Sequence, residues 1–288
     1  MNEVIRLTES TGSITFSPDF AIMYSAPNNK VRILRADTQI IIREYEFVLT
    51  PDLAGTSPDG RLVYGSERAT NKVIVINNQG GTLEPGYGVG FGLNGMVVGL
   101  DGQQLFALTT EQIKDPFSVA VIDALTQQLV KKIPVGRIAM AIAINPVDSK
   151  LWVCCAGVTG TDEGVYVVDP QTESVTHISV DVSVFGGIVL DAKNNLAYIS
   201  YTELGHITVI DTKTYAVKNT YSLGERPTKM SLSQDSSLLY LLNQTSGLIS
   251  VVNTKDMSPA RNIETEHNDL RVITTQKNNG TIWVGYFA

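Results

Sequence analysis

The sequence contains few of the residues from which many functional sites are built. Its 288 residues include only two cysteines, adjacent at Cys154 and Cys155, and three histidines. Two neighbouring thiols do not form a disulfide framework, and three histidines leave little material for a histidine-rich metal centre. The chain has 22 Lys and Arg against 29 Asp and Glu. This balance argues against a nucleic-acid partner, because such binding depends on clustered positive charge.

Long apolar runs are also missing. No stretch approaches the roughly 20 apolar residues that a membrane-spanning helix requires, so no membrane span is predicted. The first ten residues lack the apolar core of a secretory signal. As written, the chain is therefore expected to be cytoplasmic, and an exported mature fragment is the alternative that stays open.

A repeat of about 42–46 residues organises the chain. Its marker is an alternating apolar run that ends in Asp or Asn, and a turn signal and an aromatic residue recur in the same phase. The runs end at Asn77, Asp123, Asp169, Asp211 and Asn253, and the aromatic residues are Tyr24, Tyr64, Phe106, Trp152, Tyr198, Tyr240 and Trp283. Four-stranded units of this length are typical of β-propellers. The sequence therefore predicts an all-β fold, a single seven-bladed β-propeller domain over residues 1–288.

The last repeat is incomplete, which affects how the ring would close. It begins near Asp269, and the sequence has room for only two of its strands. Residues 4–7 are predicted to add a third strand, so that the closing blade is built from the C-terminal strands plus the N-terminal strand. An open strand edge invites pairing with another chain, and this blade-seven edge is therefore the predicted route to an oligomer.

The repeat between Pro227 and Thr254 resembles the YVTN-type β-propeller repeat, a WD40-like architecture. The Tyr-Val-Thr-Asn strand that gives the family its name has drifted here, for example to the four residues from Tyr64 to Glu67. The resemblance covers nearly the whole chain. It implies the fold and says little about activity, although related propellers include lactonases.

Propellers place function where loops converge on the central channel and one rim. Polar residues expected there are Asp52, Asn94, Arg137, Tyr201, Arg226, Asn243 and Tyr286. This mixture of acids, amides, arginines and tyrosines suits a small polar ligand. The alternative reading is that these side chains are solvated or pair with one another.

Four residues are candidates for chemistry: Glu67, Cys155, His267 and Asp269. His267 stands among carboxylates and could act as an acid or base, whereas Cys155 would need a neighbouring base to form a thiolate. Neither a cofactor nor a metal site is predicted. If a divalent ion does bind, as the resemblance to lactonase-type propellers allows, its oxygen ligands would be Glu67, Asn94, Asn243 and Asp269.

Two hypotheses of function follow. The first is a binding module that holds a small polar ligand or a protein partner on the central channel or rim. The alternative is an enzyme of lactonase, lyase or cyclase type, in which Arg137 and Arg226 would orient an anionic substrate. The sequence leaves open whether the protein is an enzyme.

Overall fold

The computed structural model describes residues 11–112, 115–156, 162–180, 185–203, 205–224, 226–243 and 246–286, together with the backbone of residues 4–6. The elements in these ranges are 27 β-strands. They form two compact units, residues 13–177 and residues 1–12 with 178–288, and each unit is described by itself below.

The unit of residues 13–177 contains four antiparallel four-stranded sheets, each made of four consecutive strands. Sheet 1 has β2 (Ile14–Phe16), β3 (Ile22–Ser25), β4 (Lys30–Arg35) and β5 (Ile41–Glu46), and sheet 2 has β6 (Asp52–Thr56), β7 (Leu62–Glu67), β8 (Lys72–Asn77) and β9 (Thr82–Gly88). Sheet 3 has β10 (Met96–Val98), β11 (Gln104–Thr109), β12 (Ser118–Asp123) and β13 (Leu129–Pro134), and sheet 4 has β14 (Ala139–Ile144), β15 (Leu151–Cys155), β16 (Gly164–Val168) and β17 (Val175–Ile178).

The core of this unit lies between successive sheets. Neighbours in a strand point to opposite faces, so Leu105 of β11 packs toward sheet 2 while Phe106 packs toward sheet 4. Second and third strands are therefore apolar on both faces, and fourth strands such as β5 are largely exposed. The repeated aromatic residue is buried in every sheet.

The turn between first and second strands is built from a serine and an aspartate two residues later. In sheet 2, Ser57 Oγ donates to Asp59 Oδ1 (2.6 Å) and accepts from the Leu62 amide (2.9 Å), and Asp59 Oδ1 accepts from the Arg61 amide (3.0 Å). Ser17 and Asp19 repeat this network in sheet 1, and Ser233 and Asp235 repeat it in the second unit. Side-chain bonds to the backbone of this kind fix tight turns.

The turn between third and fourth strands has its own repeated chemistry. Asp123 Oδ1 accepts hydrogen bonds from the Thr126 amide (2.7 Å) and the Thr126 hydroxyl (2.9 Å), as in an Asx-type turn. The residue after it, Gln127, has a φ of 59°. A left-handed residue after a type I turn is a frequent hairpin geometry, and sheet 2 uses Gly81 at this position.

The second unit contains two four-stranded sheets and one three-stranded sheet. Sheet 5 has β18 (Phe185–Asp191), β19 (Leu196–Tyr201), β20 (His206–Asp211) and β21 (Val217–Ser222), and sheet 6 has β22 (Pro227–Leu232), β23 (Leu238–Asn243), β24 (Leu248–Asn253) and β25 (Pro259–Glu264). The closing sheet is formed by β26 (Leu270–Thr275), β27 (Ile282–Tyr286) and β1 (Val4–Arg6).

The closing sheet joins the two ends of the chain, as predicted, but differs from the other sheets. Strand β1 pairs with β27 in parallel, with Ile5 opposite Trp283, whereas strand pairs of the other sheets, such as β10 with β11 and β19 with β20, are antiparallel. The described chain thus has six complete four-stranded blades rather than seven, and the seventh repeat is this three-stranded sheet. Leu7, the last residue of the predicted strand, lies outside the described residues. Among those residues, no helix is long and apolar enough to cross a membrane.

Candidate functional site

The predicted rim residues of the first unit are bound to neighbouring side chains. The Asp52 carboxylate pairs with Arg68, with 2.6 Å between Oδ2 and Nε, and Arg137 Nε lies 3.7 Å from Asp162 Oδ2. These four side chains are partly exposed. Exposed ion pairs of this kind contribute little to stability.

The predicted binding residues of the second unit differ from one another in exposure. Arg226 is exposed, whereas Tyr201 is buried and its ring lies 5.4 Å from that of Phe185. Asn243 is also buried, and its Nδ2 donates to Ser250 Oγ (2.9 Å). Within this unit, these residues therefore do not present one shared polar surface.

His267 and Tyr286 form a stacked pair in the second unit. Their ring centroids are 3.5 Å apart and their planes differ by 8°. Asp269 lies nearby in the sequence and pairs with Arg271, with 2.9 Å between Oδ1 and Nε. The predicted histidine-and-carboxylate cluster is thus divided between a ring stack and an ion pair.

Residues at the ends of the second strands are buried rather than open to the rim. This set comprises Pro27, Glu67, Thr109, Cys155, Tyr201, Asn243 and Tyr286. Burial raises the pKa of the Cys155 thiol to about 12, despite a hydrogen bond from the Gly136 amide that lowers it. A thiol with this pKa stays protonated at neutral pH and is not an activated nucleophile.

The four predicted metal ligands are divided between the two units, with Glu67 and Asn94 in one and Asn243 and Asp269 in the other. Within the first unit, Glu67 accepts hydrogen bonds from the Leu49 amide (3.3 Å) and from the Thr70 hydroxyl. Asn94 Nδ2 donates to the Ala139 carbonyl (2.5 Å). In the described part of the chain, no group of three or more His, Cys, Asp or Glu residues is arranged to hold a metal ion.

A cleft of about 670 Å³ lies between sheets 2 and 3, inside the first unit. Its walls are the turns that precede the second strands and the turns that follow the third strands of these two sheets. Tyr64, Asp59, Asp101, Asp123 and Ala124 are among the lining residues. The cleft thus opens at the Leu62 end of β7, opposite the Glu67 end where the sequence placed a site.

One residue of the repeat explains why the cleft exists. Between sheets 1 and 2, Asn78 Nδ2 donates to the Tyr24 hydroxyl (3.0 Å). Ala124 is the equivalent of Asn78, because each donates its amide to the residue that precedes the second strand of its own sheet. Ala124 and Tyr64 both line the cleft, and a methyl group cannot replace the Asn78 amide. The space that Asn78 occupies in one sheet pair is therefore left open in the next.

The two turns that border the cleft pack tightly against each other. A Cβ atom at Gly102 would lie 2.2 Å from Pro58 Cδ, and Gly102 has a φ of +71°. Both the close approach and the left-handed backbone require glycine at this position. The contact holds sheets 2 and 3 together at the mouth of the cleft.

The cleft carries an excess of negative charge. Hydrogen bonds from the Ser57 hydroxyl and then from Arg61 lower the pKa of Asp59 to about 2. Bonds from Thr126 lower the pKa of Asp123 as well. Arg61 is the cation among the lining residues, and its Nε lies 2.5 Å from Asp59 Oδ2. The pairing of Asp59 with Arg61 leaves Asp123 and Asp101 without a cationic partner in the cleft.

Tyr64 lines the cleft, and Tyr87 packs against the apolar cluster that contains Tyr64. Tyr64 is only 1% exposed, and burial followed by the charge of Asp59 raises the pKa of its hydroxyl. Burial raises the pKa of Tyr87 too, with the charges of Tyr64 and Asp123 adding to the effect. The Tyr87 hydroxyl is buried without a hydrogen-bond partner among the described residues. The Tyr64 hydroxyl, which reaches the cleft, makes no hydrogen bond with them either. Both phenols are neutral at physiological pH and can donate a hydrogen bond.

The sequence did not predict this cleft. Its candidate residues, such as Glu67 and Asn243, lie at the opposite ends of the second strands. Asn78, Thr212 and Thr254 follow the third strand in their repeats, whereas Ala124 shares its position with Ala36 and Pro170. An alanine here, opposite the aromatic residue of the preceding repeat, leaves room for a gap but does not single out sheets 2 and 3.

Comparison with known proteins identifies the fold alone. No protein-family model matches the chain, and no curated protein matches it. Among solved structures, a chain of hydrazine synthase from Kuenenia stuttgartiensis is similar, with a TM-score of 0.79, 15% identity, and coverage of 99% of this chain and 97% of that one. The fold is therefore an all-β β-propeller. The resemblance to the YVTN type stays a prediction.

Proposed function

We propose that this protein is a β-propeller binding module that holds a small polar ligand in the cleft between sheets 2 and 3. The repeats would be of YVTN-like type. The three-stranded closing sheet would serve as the seventh blade of one ring, so that residues 1–288 form a single domain.

The observation that supports this proposal is Tyr64, a side chain only 1% exposed that lines a cleft of about 670 Å³ and whose hydroxyl makes no hydrogen bond in the described chain. Ligand sites commonly have volumes of about 300–1,000 Å³ and a few polar groups within an apolar wall. The equivalent tyrosine, Tyr24, has its partner within the chain.

The other predicted roles gain less support. Candidates for catalysis, Glu67 and Asp269, are each held by neighbouring groups, and Cys155 is a buried, protonated thiol. A lactonase, lyase or cyclase activity therefore remains a prediction, as does a ligand or protein partner on the central channel.

The test is ligand-observed NMR with a mixed library of small cations, anions and neutral polyols against the wild-type protein and Ala124→Asn. The variant restores the residue type of Asn78 and is expected to fill the cleft and bond to Tyr64. Library members that bind the wild type should lose binding to the variant by about tenfold or more.

Asn78→Ala is the matched control. It removes the same amide from the neighbouring sheet pair, so it should leave binding in the cleft unchanged. Equal binding to the wild type and Ala124→Asn, or no binding to the wild type, would contradict the proposed site.

A further inference from the structure

We infer that the cleft selects an organic cation, a guanidinium or alkylammonium group carried on a larger molecule. This inference rests on the proposed function, since it names the ligand class of the same site. Asp101 and Asp123 would accept the charged N–H groups, and Tyr64 would lie beneath them.

Each of the two aspartates uses one oxygen to hold its own turn. Asp101 Oδ1 accepts from the Gln103 amide (2.9 Å), and Asp123 Oδ1 accepts from Leu125 and Thr126. No hydrogen bond to the Oδ2 atom of either residue occurs among the described residues. Each turn therefore fixes a carboxylate in place and leaves an acceptor for a ligand.

These carboxylates come from different turns. Asp101 lies in the turn before β11, and Asp123 lies at the end of β12. The carboxylates of the described chain do not form a group that could hold a metal ion. Separated acceptors suit a planar guanidinium, whose five N–H donors diverge, better than a point charge that requires converging oxygens.

Tyr64 sets a second, independent requirement for the ligand. Tyr64 is almost fully buried and has no partner for its hydroxyl in the described chain, although it lines the cleft. Its neighbours Leu62 and Ala124 give the wall an apolar part. A ligand that satisfies both features carries its cation on a short apolar stem, as butylguanidinium does.

The experiment compares four probes that share one butyl chain: butylguanidinium, butylammonium, butylurea and butyrate. Butylurea has nearly the shape of butylguanidinium but no charge. Isothermal titration calorimetry should show binding of the two cations, and butylurea should bind about tenfold more weakly or not at all. Cation affinity should fall as salt rises from about 0.1 M to about 1 M, because screening lengths shorten from about 10 Å to about 3 Å.

Asp123→Asn is the informative variant. Asn stands at the equivalent position in sheets 2 and 6, as Asn77 and Asn253, so the turn is expected to fold. The variant should weaken binding of butylguanidinium by about tenfold or more while leaving butylurea unchanged. Asp169→Asn is the matched control, because Asp169 holds the same turn in sheet 4 and lies outside the cleft.

The outcomes separate this inference from the proposed function. If butyrate or butylurea binds at least as tightly as the two cations and Ala124→Asn abolishes this binding, the cleft is retained as a site and the preference for a cation is contradicted. Calcium chloride is titrated as a further probe. Calcium binding that Asp123→Asn removes would also contradict an organic cation as the ligand. If no probe and no library member binds, both the proposed binding site and the proposed cation are contradicted.

A final arm distinguishes the source of the cation. The blocked peptide acetyl-Gly-Arg-Gly-amide carries the same guanidinium on a polypeptide. Tighter binding of the peptide than of butylguanidinium would assign the site to an arginine side chain of a protein, and weaker binding would assign it to a small molecule.

Discussion

Tyr24 and Tyr64 occupy equivalent positions in neighbouring sheets, but only the Tyr24 hydroxyl has a partner, Asn78. Replacing Tyr24 with Phe removes that bond and should lower the free energy of unfolding by about 1 kcal/mol. Replacing Tyr64 with Phe removes a hydroxyl that makes no hydrogen bond in the described chain. The Tyr64→Phe variant should therefore be as stable as the wild type, or slightly more stable, without ligand.

Urea unfolding of the two variants measures this difference. Each serves as the control for the other, because both changes remove one hydroxyl from a buried ring at the same position of the repeat. A Tyr64→Phe variant that loses as much stability as Tyr24→Phe would show that the Tyr64 hydroxyl has a partner in the folded protein.

The buried thiols of Cys154 and Cys155 provide a second prediction about individual residues. Burial raises the pKa of both thiols, to about 12 for Cys155. Since the thiolate is the reactive form, iodoacetamide at about pH 8 should leave the folded protein unlabelled. In urea both cysteines should become labelled, which mass spectrometry of the intact protein detects. Rapid labelling of the folded protein would contradict the buried position.

Among the elements, the serine–aspartate turns are expected to make stability depend on pH. Hydrogen bonds from Ser233 and Ser237 lower the pKa of Asp235 from 3.8 to about 2. A carboxyl group with a lowered folded-state pKa stabilises the fold above its unfolded pKa, and this contribution is lost as pH falls through the folded pKa. The free energy of unfolding should therefore fall between about pH 4 and about pH 2.

Asp235→Asn tests the contribution of one such turn. The variant should be less stable than the wild type at neutral pH and should lose less stability than the wild type on acidification to about pH 2. Asp37→Asn is a suitable control, since Asp37 is an exposed aspartate outside the serine–aspartate turns. Parallel pH profiles for Asp235→Asn and the wild type would contradict the role of the turn.

Local chemistry explains why so much of each element could be predicted. The turn residues act on their own backbone, as Asp123 does with Thr126, and the alternation that buries Phe106 is a property of the strand itself. The cleft depends instead on two residues from different sheets, Ala124 and Tyr64. Neither residue alone signals a site, and a comparison of the repeats does not locate it either, because Ala36 stands in sheet 1 at the position of Ala124.

The predicted site residues show that the sequence gives a residue's position in a strand but not its exposure to solvent. Glu67 and Asn243 were expected at an open rim because they end second strands, yet both are buried and bonded. The position of a residue along a strand follows from periodicity. Its exposure depends on what the next connecting segment covers, such as the Leu49 amide that donates to Glu67.

At the scale of the whole molecule, the closing sheet is the feature that joins residues far apart in the sequence. Strand β1 pairs in parallel with β27, and Ile5 and Arg6 lie opposite Trp283 and Val284. Alternate residues of a parallel strand donate to a given neighbour. One of the variants Ile5→Pro and Arg6→Pro must therefore remove a hydrogen bond of this pairing.

Whichever of the two proline variants removes the hydrogen bond should have a free energy of unfolding about 1–3 kcal/mol below that of the wild type. Proline removes the N–H donor and does not fit a paired strand. Ile5→Thr and Arg6→Thr are the controls, because both keep the amide and place a β-branched residue, which suits a strand, at the position. Urea unfolding of the four variants gives the comparison. If both proline variants unfold at the same urea concentration as their threonine controls, β1 contributes no stability, and the two ends of the chain are not held together by this pairing.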